Sequence, residues 1–241
     1  MKKYLYLIFC LSFASCYVLP QKNKLYQSYG LVDLGVIGKQ KKSVRKTGYE
    51  IIGIPEYKEN IKLKVTLKKI DKQNFKSYSE YTKSTSSKEL ITYNDSIKVI
   101  PNYVEVQISD KIAIVKALNT GNSEILNYLV KNPEVSIVTK LKFVANTKTL
   151  KNIQESDTYY LKTLHDKQSF ILMYKGNKLI DKINTAVLQV FQYDVSSLCW
   201  EVSERKQTKI VGVVKEGELC KNGTVRNPNK EINRKIKKFD F

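Results

Sequence analysis

Residues 61–70 read IKLKVTLKKI. Ile61, Leu63, Val65 and Leu67 fall on one side of an extended chain, and Lys62, Lys64, Thr66 and Lys68 fall on the other. Successive side chains of a strand point to opposite faces. Strict alternation therefore marks a strand with one face in a core and the other toward water. The segment thus decides for a sheet packed against a core. Its lysine side has two readings. It is a docking strip for an anionic surface, or a solvated face whose charges also keep an edge strand from pairing.

The same logic extends along the chain. Residues 31–37, LVDLGVI, read as a short strand between glycine turns. In Tyr103 to Ser109, Val104, Val106 and Ile108 point inward; Asp110-Lys111 reads as a turn and residues 112–118 as a return strand. One helix stands out near 123–131. Asn122 or Ser123 caps it, Ile125, Leu126, Leu129 and Val130 form its stripe, and Asn132-Pro133 stops it. Residues 147–155 suit a second short helix. Strands are expected over 135–144, 158–164, 169–174, 179–183, 187–193 and 210–214. Lys175-Gly176-Asn177-Lys178 is a hairpin turn, because Gly and Asn accept positive φ. The expected fold is a β-rich α+β domain, mostly antiparallel sheet with one or two short helices.

Residues 72–89, KQNFKSYSEYTKSTSSKE, are polar and serine-rich and read as a long loop or domain joint. Tyr78 and Tyr81, set among its lysines, are candidate binding residues for sugars or bases, alongside Lys62, Lys64 and Lys68. The organisation expected is a leader over 1–15, a tether or partly ordered segment over 16–46, a β-rich body over 47–228 and a basic tail over 229–241.

The N-terminus carries the most specific signal. Met1-Lys2-Lys3 is a short positive segment, Tyr4 to Phe13 is an apolar run, and Ala14 and Ser15 precede Cys16. That is the layout of a secretory signal peptide. Phe13-Ala14-Ser15-Cys16 resembles the lipobox of bacterial lipoproteins, with Phe13 where most members carry an aliphatic residue. The resemblance implies that Cys16 is diacylated, becomes the mature N-terminus and anchors the protein at a membrane, since two acyl chains give stable attachment. Cleavage without lipidation and an uncleaved N-terminal anchor stand as alternatives. All three place the body outside the cytosol, and the lipoprotein reading places it in the bacterial cell envelope, facing the periplasm.

Two more cysteines, Cys199 and Cys220, form an even pair that suits a disulfide in an oxidising compartment. The formal net charge is +19. A basic surface attracts anionic lipid, acidic polysaccharide or nucleic acid. Yet arginine, the residue suited to forked phosphate recognition, occurs only four times. That counts against a specific nucleic-acid reader.

Catalytic signals are sparse. The single histidine, His165, lies in TLHDK without a nucleophile turn beside it. No metal-ligand spacing is present and nothing calls for a cofactor. Trp200, beside Cys199, reads as a packing residue. The functional expectation is a non-enzymatic envelope lipoprotein, a binding or structural protein for an envelope protein partner or an anionic polymer. Two alternatives stand: an exported hydrolase with paired carboxylates, and a secreted polysaccharide or nucleic-acid binder.

Overall fold

The computed structural model describes residues 25–42, 47–94, 96, 99–164, 167–221 and 223–237. Cys16 and His165 lie outside them. Among the described residues, eleven strands form one antiparallel sheet, and five α-helices pack on it. The strands are β1 (Tyr26–Gln27), β2 (Ile37–Lys42), β3 (Thr47–Gly53), β4 (Ile61–Lys69), β5 (Asn102–Ile108), β6 (Ser136–Val144), β7 (Thr158–Thr163), β8 (Ser169–Lys175), β9 (Lys178–Asn184), β10 (Gln189–Val202) and β11 (Thr208–Lys215). The helices are α1 (Lys72–Thr85), α2 (Lys111–Asn119), α3 (Ser123–Lys131), α4 (Thr147–Glu155) and α5 (Pro228–Lys237). No helix among the described residues is long and apolar enough to cross a membrane.

The main path runs β1-β10-β6-β5-β4-β7-β8-β9, with β11 on β10 and β2 joining β3 to β6. Register sorts the side chains. Ile61, Leu161, Ile171 and Ile183 are cross-strand partners on β4, β7, β8 and β9. All four are buried in the main core. Ile114 and Leu118 of α2, Leu129 of α3 and Ile153 of α4 join that core. On the other face a smaller cluster of Ile70, Tyr103, Val144 and Phe191 is covered by Tyr78 and Tyr81 of α1. The sheet is therefore clad on both faces where β5, β6 and β10 meet α1.

Several expectations need correcting. IKLKVTLKK is a strand with the predicted inward face, but it is not a simple edge: β5 flanks it over Leu63–Lys69 and β7 over Ile61–Leu63. Residues 72–85 of the stretch expected to be a loop or joint form helix α1. Asp71 caps α1 by accepting from Asn74 N at 2.7 Å, and β4 and β5 pair directly on either side of it. The return strand expected over 112–118 is helix α2, started by the Asp110 side chain accepting from Ala113 N at 2.9 Å. LVDLGVI turns rather than extends, with Leu34 and Val36 both 0 % exposed, and the strand begins at Ile37. Within the segment expected to be a tether or partly ordered, Tyr26–Gln27 and Ile37–Lys42 join the sheet as β1 and β2. Residues 229–237 of the tail lie in α5, where Lys235 Nζ donates to Val202 O at 2.9 Å.

Cys199 on β10 is bridged to Cys220, with Cα atoms 5.7 Å apart. Trp200, 1 % exposed, lies in the main core and its backbone exchanges two hydrogen bonds with Val225. The outer side of β11 is closed at two points. The Asn119 amide donates to Ile210 O at 2.7 Å and accepts from Ile210 N at 3.1 Å. Glu218 accepts from Lys215 N through its carboxylate and donates its own N–H to Lys215 O.

Candidate functional site: a lysine-lined sheet face

The sheet face opposite the main core is built by the alternation that buries Ile61 and its partners. One residue along each strand lies the row Lys62, Tyr160, Leu172 and Lys182, joined pairwise across β4, β7, β8 and β9. Lys64 is two residues further along β4 on the same face. It opens a second row, Lys64, Gln107, Lys140 and Asp194, across β4, β5, β6 and β10. A third row holds Thr66, Glu105 and Lys142. Lys68 closes the β4 series opposite Tyr103.

The face divides electrostatically. Toward α1 its charges are internally matched. Glu105 accepts from Lys140 Nζ at 3.0 Å and from Lys68 Nζ at 3.2 Å. Burial alone would raise the Glu105 carboxyl, but the hydrogen bonds and charges of the two lysines outweigh it and hold the group below its ordinary range. Lys142 is 7 % exposed and donates to Asn74 Oδ1 at 3.0 Å, with its ammonium 5.5 Å from the centre of the Tyr103 ring. Burial lowers its pKa, and burial together with the Glu105 charge pushes the Tyr103 hydroxyl up to about 12. Asp194 is 9 % exposed and burial raises its carboxyl. Glu105 and Asp194 share the face, but one is clamped between lysines and the other is buried.

Away from α1, among the described residues, the lysines of this face have no carboxylate partner. This face of β7, β8 and β9 carries Lys162 and Lys182 and no carboxylate, because Asp181, opposite Met173, lies on the core side and binds Asn152 of α4 at 2.7 Å. Lys62, Lys64 and Lys182 are exposed and Lys162 is half-buried. Aromatic rings stand between them. Phe170, Leu172 and Tyr174 occupy alternate positions of β8. The Tyr160 and Tyr174 rings meet edge to face at 5.8 Å, and Lys182 Nζ lies 5.7 Å from the centre of Phe170. Leu179, 45 % exposed, extends this apolar strip beside Tyr174.

Lys62, Lys64 and Lys68 thus project from one face, as the sequence expectation had them. Tyr78 and Tyr81 do not join them as ligand platforms: they are 0 % and 4 % exposed and hold α1 to the sheet. The rings beside the lysines are Tyr160, Phe170 and Tyr174. Their signal in the sequence was FILMY read with period two, which sets Phe170, Leu172 and Tyr174 against Ile171 and Met173.

Two of the concavities among the described residues lie beside α5 and α2. One of about 590 Å³ between β10 and α5 is lined by Trp200, Glu231, Arg234 and Lys235, whose charges are engaged locally, Arg234 with Glu231 and Lys235 with Glu204. The other, about 490 Å³, runs between α2 and β11 beside Cys199. Comparison with protein-family models and with curated proteins found no match to this chain.

Proposed function

We propose that this chain is an exported protein of the bacterial cell envelope, lipid-anchored through Cys16 and facing the periplasm, that binds an anionic polymer without catalysing a reaction on it. The leader and its FASC motif support the export and anchoring. The Cys199–Cys220 bridge suits an oxidising compartment. The observation that carries the binding role is the row Lys62–Tyr160–Leu172–Lys182, which sets two exposed lysines on a sheet face where β7, β8 and β9 contribute no carboxylate. Unmatched lysines focus potential toward solvent and raise the local concentration of anions. The hydrolase alternative finds less support, because Glu105 is pinned by two lysines and Asp194 is buried.

Two measurements test this reading. Intact mass of the membrane-extracted protein should show acylated Cys16, and Cys16→Ser should leave the membrane fraction or remain unprocessed; identical fractionation and mobility would refute the anchor. Binding of the detergent-solubilised full chain to a polyanion such as polygalacturonate should weaken steeply from about 50 to about 200 mM salt. Lys62→Glu and Lys182→Glu should each weaken it about fivefold, since a lysine near a charged surface contributes about 1 kcal/mol. Affinity indifferent to salt and to both reversals would refute the binding face.

A further inference from the structure

The proposed binding face shows more than charge, and what it adds separates one anionic polymer from another. Phe170, Leu172 and Tyr174 project from alternate positions of β8. At about 3.4 Å per residue they form a ridge roughly 14 Å long. Tyr160 stands beside this ridge on β7 and Leu179 on β9. Phe170, Tyr160 and Tyr174 are each partly exposed, although Leu172 between them is 6 % exposed. A surface meant only to repel neighbours or to attract small anions needs no ring on it. Here three rings alternate with lysines on a face whose opposite side already supplies the core.

We infer that this ridge is a stacking track for an acidic polysaccharide, with the sugar rings lying on Phe170, Tyr160 and Tyr174 and their carboxylates meeting Lys62, Lys162 and Lys182. The inference rests on the polyanion-binding reading above and adds the chemical class of the polymer. Pyranose rings present apolar C–H faces that suit flat aromatic surfaces, while their acidic substituents lie at the rim, where the lysines stand. A phosphate or lipid headgroup has no such face. A nucleobase could stack on the same rings. However, the described arginines, Arg205, Arg226 and Arg234, all lie outside β4 and β7–β9, so the forked phosphate contact favoured in nucleic-acid recognition is missing from the track. Lysine is a point charge on a flexible stem, which suits carboxylates whose positions vary along a chain.

The test compares three probes on the full chain at one low ionic strength: polygalacturonate, inorganic polyphosphate and oligothymidylate. Phe170→Leu and Tyr174→Leu keep apolar bulk on β8 but remove the flat ring. Thermal denaturation identifies a variant that fails to fold, and Tyr160→Leu on the neighbouring strand is then the replacement probe. Each folded variant should bind polygalacturonate about tenfold more weakly, the size of one lost stacking contact, with polyphosphate binding changed by less than about twofold. If the ring variants leave polygalacturonate unaffected while Lys182→Glu weakens it, the sugar track is wrong and the electrostatic face stands. If Lys182→Glu also has no effect, both readings fail. Tighter binding of oligothymidylate than of polygalacturonate overturns the assignment to sugars.

Discussion

Glu105 on β5 and Lys140 on β6 meet at 3.0 Å on the polar face of the sheet, and Lys68 reaches the same carboxylate from β4. The Glu105 side chain is 15 % exposed. Its carboxyl is depressed relative to the unfolded chain, so its contribution to stability is complete above the ordinary carboxylate range and is lost as pH falls through the folded-state value. Glu105→Gln should cost about 1–2 kcal/mol at neutral pH, partly because Lys140 is left without its counter-ion. Urea unfolding of both proteins at pH 7 and near pH 3 reads the difference, which should shrink at the lower pH. A gap of equal size at both would rule out this linkage.

Tyr78 is structural. Its hydroxyl donates to Gln189 Oε1 at 2.8 Å and accepts from Leu90 N at 2.7 Å, and its ring packs edge to face on Phe191. Tyr78→Phe should destabilise by about 1–2 kcal/mol and Tyr78→Ala by about 3–5 kcal/mol. In the protein that remains folded, polyanion affinity should be unaltered. A selective loss of binding at full stability would return Tyr78 to the ligand surface.

Gly35 has φ +80°, where a side chain is strained. A Cβ there would sit 2.8 Å from Tyr57 Cε2 and 2.9 Å from Leu161 Cδ2, both in fully buried side chains. The Gly35 carbonyl also accepts from the Tyr57 hydroxyl. Gly35→Ala should therefore cost about 3 kcal/mol or more, combining strain with overpacking. A melting temperature unchanged by this substitution would show that the turn is not built this way.

The Cys199–Cys220 bridge closes a loop of sequence separation 21. In the chain-entropy model such a loop contributes roughly 3 kcal/mol. The double substitution to serine should lower the denaturation midpoint accordingly, and reductant should then have no further effect on it. Native protein without reductant should resist alkylation at both positions. Free alkylation of both thiols would remove the bridge from the account.

Legibility followed how locally each feature is encoded. β4, β5, the β8–β9 hairpin, α3 and α4 are written in short-range period and turn residues, and the even cysteine pair pointed to the disulfide. Helix α1 was hidden because its buried side is made of Asn74, Tyr78, Tyr81 and Thr82, residues that look polar in a serine-rich stretch. Helix α2 was hidden for the opposite reason: Ile112, Ile114 and Val115 are β-branched and suit a strand, while the Asp110 cap and the tertiary contacts of Ile114 and Leu118 favour the helix. The lysines of β4 were visible as a face. Their partners were not, since Lys62 and Lys182 are 120 residues apart and only the pairing register brings them into one row.

The two closures on β11 bear on what happens when copies of the chain crowd together. Asn119 occupies the backbone of Ile210, and Glu218 occupies that of Lys215. Only residues 211–214 lie between them, fewer than the six or seven that self-templating filaments use. The β11 edge thus offers a neighbouring copy only a short open stretch of backbone, and Asn119→Leu would lengthen it.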